Sequence, residues 1–260
     1  YSNAVDEICV GVYDWDDKEL SKEVEKIIEE FPKAKIVLRR IAEKFNWETV
    51  TSMYNEIKNL YPEDWWVVAD DDEFHEYSQP LEYIIRDCEE NGWDLVRGGF
   101  VDRVGPDGTF PEIQPEGDIF KQFPVAGFFR YPLSGACPNK ICIMKGHIEL
   151  TPGQHYAKID GYTTWKWQGW NHPLIAPYNT HSVQVHHFKW DKTCVDRIKS
   201  VADINEEYAY SNEYGIMYKK LRKSQFKIDI NNPDFQFENN VMKFDDYKNW
   251  NKLINKIVSI

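Results

Sequence analysis

Apolar and polar positions along this chain switch repeatedly between a period of two and a period near 3.6. Ile8-Cys9-Val10-Gly11-Val12-Tyr13 is a short β-type run, punctuated by Asp14-Trp15-Asp16-Asp17. From Lys18 to Glu30, Leu20, Val24, Ile27 and Ile28 recur at helical spacing, and Pro32 closes the segment. Lys35-Ile36-Val37-Leu38 predicts a second strand with Arg39 and Arg40 at its end, and Trp47 to Leu60 a second helix with Val50, Met53, Tyr54, Ile57 and Leu60 on one side. Asp64-Trp65-Trp66-Val67-Val68-Ala69 is a continuous apolar strand of the kind buried on both faces of a parallel sheet, and it delivers Asp70-Asp71-Asp72-Glu73.

Pro80 to Glu90 predicts a helix and Trp93 to Arg103 a long strand ending at the turn Gly105-Pro106-Asp107-Gly108. Pro111 to Pro138 has no clear period and reads either as an acceptor loop or as an irregular connection. Lys140 to Met144 and Ser182 to Phe188 are further strands, and residues 195 to 222 a helical tail. Strands alternating with helices imply an α/β sheet whose ligands lie beyond the carboxyl ends of its strands. The acidic segments at Asp14 and Asp70 both fall at such ends.

Composition narrows the class of partner. The 260 residues carry a formal net charge of −12, which disfavours a nucleic-acid partner, since phosphate binding usually draws on an excess of Lys and Arg. Aromatic residues make up 15%, with 10 Trp, which suits a carbohydrate ligand or simply an aromatic core. Cys9, Cys88, Cys137, Cys142 and Cys194 are odd in number and scattered, so they read as reduced thiols in a cytoplasmic protein. No run of about 18 apolar residues is long enough to span a bilayer, and no basic-then-apolar leader opens the chain.

Three consecutive aspartates at a buried strand end repel one another, and a divalent metal offsets that repulsion. Mg²⁺ or Mn²⁺ takes a few carboxylate oxygens and completes its shell with water and phosphate. Alternate residues of an extended segment point the same way, so Asp70 and Asp72 are expected to face one metal while Asp71 turns aside.

Trp65 to Phe74, then Gly98-Gly99-Phe100-Val101-Asp102-Arg103 with its Gly-Pro-Asp-Gly turn, then His186-His187-Phe188-Lys189-Trp190 form three ordered islands. With them the chain resembles the family 2-like glycosyltransferases of the GT-A fold, in particular bacterial and viral members whose metal motif reads D-x-D-E-F. The resemblance covers roughly residues 5 to 200. It implies a GT-A-like, Rossmann-like mixed sheet flanked by helices, with a catalytic domain over 1–195. A helical C-terminal extension over 196–260 is expected to pack on the same domain. In the family a first strand and helix normally precede the point where Tyr1 stands, so the first β-α unit is expected to be missing. The implied activity moves a sugar from a nucleotide-diphosphate donor, a UDP-sugar first of all, to a saccharide or glycoconjugate acceptor.

On that resemblance Asp70 and Asp72 hold Mn²⁺ or Mg²⁺, Asp72 most directly, and a distal His, either His187 or His186, completes the shell. Neighbours on a strand face opposite ways, so one of the two histidines points in and the other is structural. Asp14 is matched to the acidic loop that reads the base or ribose, with Asp17 as a helix N-cap. Arg39, Asp71, Arg103 and Lys140 are grouped with the donor contacts. For Arg39 and Lys140 ordinary surface charge is the competing reading and the simpler one, and Asp102 and Arg103 form an ion pair that shapes the site or bind the donor sugar.

An inverting transferase needs a base for the acceptor hydroxyl, for which Asp160 and His155 are the candidates. Trp165 and Trp167 share one face of an extended segment, as a sugar platform or as core packing. Two competing functions are a metal-dependent nucleotidyltransferase, which generally carries a Gly-rich phosphate loop not visible here, and a non-catalytic carbohydrate-binding protein.

Overall fold

A computed structural model describes residues 1, 3–15, 20–42, 45–164, 172–177, 179–181, 183–204, 209–231 and 242–243. In chain order the elements are β1 (Ile8–Trp15), α1 (Leu20–Ile28), β2 (Ala34–Ala42), α2 (Trp47–Lys58), β3 (Trp65–Val67), β4 (Glu73–Tyr77), α3 (Leu81–Asn91) and β5 (Leu95–Val104). There follow α4 (Ile119–Gln122), β6 (Val125–Gly127), α5 (Arg130–Ser134), β7 (Asn139–Lys145), β8 (Glu149–Leu150), β9 (Ala157–Ile159) and β10 (Tyr162–Thr163). The chain continues through β11 (Val183–His187), α6 (Cys194–Ala202), α7 (Ala209–Lys223) and β12 (Met242–Lys243). The architecture is mixed α/β. It divides into two interleaved compact units, one of Tyr1–Val68, Gln79–Val96 and Ile143–Pro177, the other of Ala69–Ser78, Arg97–Cys142 and Tyr178–Ile260.

In the first unit β1 and β2 pair in parallel, with Ile8 opposite Ala34 and Trp15 opposite Ala42. Asp14 therefore lies inside a strand and not in the loop expected after it, because the pairing with β2 continues to the strand's end. Helix α2 starts where Asn46 accepts a hydrogen bond from the Thr49 amide at 2.7 Å, and it buries Met53 and Ile57. Its last turn places Lys58 inside, where the ammonium donates to the carbonyls of Ile148 at 2.6 Å and Gly146 at 3.3 Å. β3 is shorter than its apolar run and pairs antiparallel with β7, Trp66 opposite Met144. The expectation of a strand buried in a parallel sheet does not hold there, since all three β3 residues are only half-buried, as an antiparallel strand permits.

In the second unit the strand order is β12-β6-β5-β11-β4. β11 runs parallel to β5, with His187 opposite Asp102, and antiparallel to β4, with His187 opposite Glu73. The segment from 111 to 138 holds α4, β6 and α5, and β6 returns antiparallel to β5. The predicted helical tail is two helices. Cys194 and Ile198 of α6 and Tyr214, Met217 and Leu221 of α7 recur at helical spacing and meet Val104, Phe129, Leu133 and Trp190 in one buried cluster.

Candidate functional site

The second unit contains all of the acidic strand end and both histidines. Residues 70 to 73 form a tight turn, in which the Glu73 amide donates to the Asp70 carbonyl and the Asp70 amide to Glu73 Oε2, each at 3.2 Å. The turn replaces the extended alternation expected from sequence, so Asp70 and Asp72 take different partners. Asp70 Oδ2 meets the Lys140 ammonium at 2.6 Å, and Asp72 Oδ2 faces His187 Nε2 at 3.5 Å. Asp71 is exposed.

Lys140 is neither a solvent lysine nor an open phosphate contact. Its side chain is 1% exposed and lies between Asp70 and Glu73 Oε1, the latter at 2.8 Å. Burial works against its charge, but the two carboxylates outweigh burial and hold its pKa above the usual lysine value. Burial also pushes the Glu73 carboxyl up, yet Lys140 and His75 outweigh it and leave Glu73 well below the carboxylate range. Asp70 goes the other way, raised by burial against the pull of Lys140.

Successive residues of β11 point to opposite faces of the sheet, which separates the two histidines. His187 Nδ1 lies 3.2 Å from Asp102 Oδ1 while Nε2 faces Asp72. Asp102 is fully buried and is also held by the Trp190 indole N–H at 3.0 Å and by the amides of Phe129 and Arg130 at 3.0 and 2.8 Å. These donors and His187 overcome burial and keep the Asp102 carboxyl below its ordinary range. Burial alone lowers an imidazole; here Asp72 and Asp102 reverse it and raise His187 to about 9. Asp72, whose burial favours the neutral form, is held low by the same histidine.

On the other face Arg103 Nε donates to His186 Nδ1 at 3.1 Å, and His186 Nε2 lies 3.3 Å from Glu76. The Arg103 guanidinium also covers the Phe120 ring at 5.0 Å. Burial, with Arg103 adding to it, depresses His186. Asp102 and Arg103 are therefore not an ion pair, because adjacent positions of β5 face opposite ways. Arg103 supports His186 and Phe120 and does not join Asp72.

The remaining candidates belong to the first unit. Asp14 is buried in β1, and Arg39 is half exposed and paired with Glu25. Asp160 sits at a turn with φ 52°, its side chain 78% exposed and 3.9 Å from His172 Nε2. His155 is half-buried at the end of a 3-10 turn, Pro152–Gln154. Asp17, Trp165 and Trp167 lie outside the described residues.

Sequence reasoning missed Glu73 and Trp190 as the partners that hold Lys140 and Asp102. Both lay within the quoted islands, and the signal for Glu73 was a lysine in an apolar strand, which needs a buried countercharge. Among the described residues no group of three or more His, Cys, Asp or Glu side chains is placed to hold a metal ion. The chain brings two such groups together, Asp72 and His187. The second ring nitrogen of His187 is tied to the Asp102 carboxylate. Comparison with known proteins finds no matching family model, curated protein or solved structure.

Proposed function

We propose that this protein is a glycosyltransferase of GT-A type that transfers a sugar from a nucleotide-diphosphate donor to a saccharide or glycoconjugate acceptor. The observation that carries this reading is the array Asp72, His187, Asp102, assembled at the ends of neighbouring strands from the acidic turn and the distal histidine. Asp72 and His187 Nε2 would hold Mn²⁺ or Mg²⁺, with donor phosphate and water filling the remaining positions, as is usual for these cations. When bound, the metal supplies positive charge against the diphosphate as it leaves.

The protein's own residues prepare that site. Asp102 fixes the His187 ring through Nδ1, so Nε2 is directed at Asp72. Lys140 pairs with Asp70 and Glu73, and Asp72 is the carboxylate of the turn that faces His187.

The test is a calorimetric titration with UDP-, GDP- and dTDP-sugars, with and without Mn²⁺. Metal-dependent binding of one of them that disappears in Asp72→Ala is the expected result. Failure to bind any nucleotide sugar, or binding indifferent to metal and to the substitution, would remove the reading.

A further inference from the structure

The sheet face of the second unit opposite Asp72 and His187 carries an assembly of its own. Phe74 and Glu76 of β4 and His186 of β11 alternate with the residues that face the acidic turn, and His186 stands directly across from Phe74 in the β11–β4 pairing. β4 ends the strand order, and among the described residues its outer edge pairs with no strand. At that edge Phe74 is 46% exposed. Its ring meets the rings of Phe188 and Phe120 edge to face, with centroids 5.5 and 5.9 Å away, and Phe120 meets Phe188 in the same way at 5.1 Å. A single exposed apolar ring is ordinary on a protein surface, but a ring braced by two others beside an anchored carboxylate is a shaped one.

That carboxylate is Glu76, about 7 Å from Phe74 along the strand and on the same side of it, with its side chain 45% exposed. Arg103 Nε can only donate, so His186 Nδ1, 3.1 Å away, accepts, and the ring proton sits on Nε2, which donates to Glu76 Oε2 at 3.3 Å. Burial and the Arg103 charge depress His186, which favours the neutral ring. A buried imidazole thus anchors Glu76 from beneath, and the exposed carboxylate keeps lone pairs for a ligand. Charge in the assembly is balanced as well. Arg103 offsets Glu76, and on α4, which supplies Phe120, Lys121 lies 3.9 Å from Asp118. The assembly offers a basic peptide or a metal ion little excess negative charge. A neutral ligand that combines C–H faces with hydroxyl donors meets both a ring and an acceptor.

We propose that Phe74 and Glu76 form a saccharide-binding site on the sheet face opposite Asp72 and His187, with a pyranose ring lying on Phe74 and one of its hydroxyls donating to Glu76. The site goes beyond the transferase reading and does not depend on it, because it shares no residue with Asp72, His187 or Asp102. No bond is made or broken there; it holds a neutral glycan chain against the protein.

The probes are maltohexaose, cellohexaose, mannohexaose and chitohexaose, titrated by ligand-observed NMR into the wild-type chain, Phe74→Ala, Glu76→Ala and Asp72→Asn, with hexalysine as the charged control. At least one hexasaccharide should bind the wild type. Phe74→Ala is expected to weaken it by about tenfold or more and Glu76→Ala by several-fold, while Asp72→Asn binds as the wild type does. Glu76 is an exposed side chain, so its variant carries the test should Phe74→Ala fail to fold. The proposal is overturned if no hexasaccharide binds, if hexalysine alone binds, or if sedimentation shows the edge taken by a second copy of the chain through Phe74. Saccharide binding lost in Asp72→Asn but kept in Phe74→Ala and Glu76→Ala also overturns it, and leaves the transferase reading standing.

Discussion

Asp72 Oδ2 and His187 Nε2 stand 3.5 Å apart, on a turn and a strand that are distant in sequence, while neighbouring His186 turns to Arg103 and Glu76. This arrangement separates two residues that are identical in chemistry. His187→Asn is expected to weaken metal-dependent nucleotide-sugar binding by roughly tenfold or more, and His186→Asn to leave it within a few-fold of wild type. Calorimetry on both variants distinguishes them, and equal losses would mean that the two histidines have no division of labour.

The His187 imidazole also makes stability depend on pH in metal-free protein. Its pKa is about 9 in the folded chain and ordinarily about 6.5 when unfolded. Its stabilisation is complete below pH ~6.5 and is lost as pH rises through about 9, a contribution on the order of 3 kcal/mol. Lys58 acts in the opposite direction, because burial lowers it to about 8 and folding gains stability as pH rises from there toward the unfolded lysine value. Urea unfolding in chelator from pH ~6.5 to 8 follows the His187 loss over the range where Lys58 has gained least. The fall in stability across that window should shrink in Asp102→Asn; an unchanged slope would show that Asp102 does not hold the proton in place.

Lys140 stands against both Asp70 and Glu73. Lys140→Met takes the ammonium away from both carboxylates, one of them 1% exposed, and should cost about 3–5 kcal/mol in urea unfolding. Adding Glu73→Gln to that variant should recover part of the loss. If the double variant is no more stable than Lys140→Met, the ion cluster is not the source of the cost.

Two glycines at positive φ separate strain from collision. At Gly108, φ is 76° and an added Cβ would lie 1.8 Å from the Ile228 carbonyl oxygen; at Gly92, φ is 71° and a Cβ meets nothing within 4 Å. Gly92→Ala is expected to cost about 1 kcal/mol from backbone conformation alone, and Gly108→Ala clearly more, since the chain at Ile228 must also move. Thermal unfolding of the two variants ranks them directly.

Much of the fold was written in local pattern. The period of two in Ser182 to Phe188 placed the histidines on opposite faces before any pairing was known, and the Pro and Gly punctuation bounded α2 and β5 within a few residues. The turn at 70 to 73 was not legible, because it is closed by Asp70 and Glu73 bonding each other's groups, an outcome that an extended reading of three aspartates does not contain. The direction of β3 was hidden for a related reason: an apolar triplet has the same pattern whether its neighbour runs with it or against it. Lys140 and Asp102 needed partners from remote segments, and sequence spacing carries no information about which charge will meet which.

Asp102 accepts from His187, Trp190 and the amides of Phe129 and Arg130, so a single carboxylate gathers β5, the β6–α5 junction and the end of β11. The donors come from two stretches, 129–130 and 187–190, so the carboxylate is fully satisfied only when both have packed against β5. Packing of the core and alignment of the histidine thus share one carboxylate. A substitution that displaces either stretch should therefore disturb the core and the orientation of His187 together.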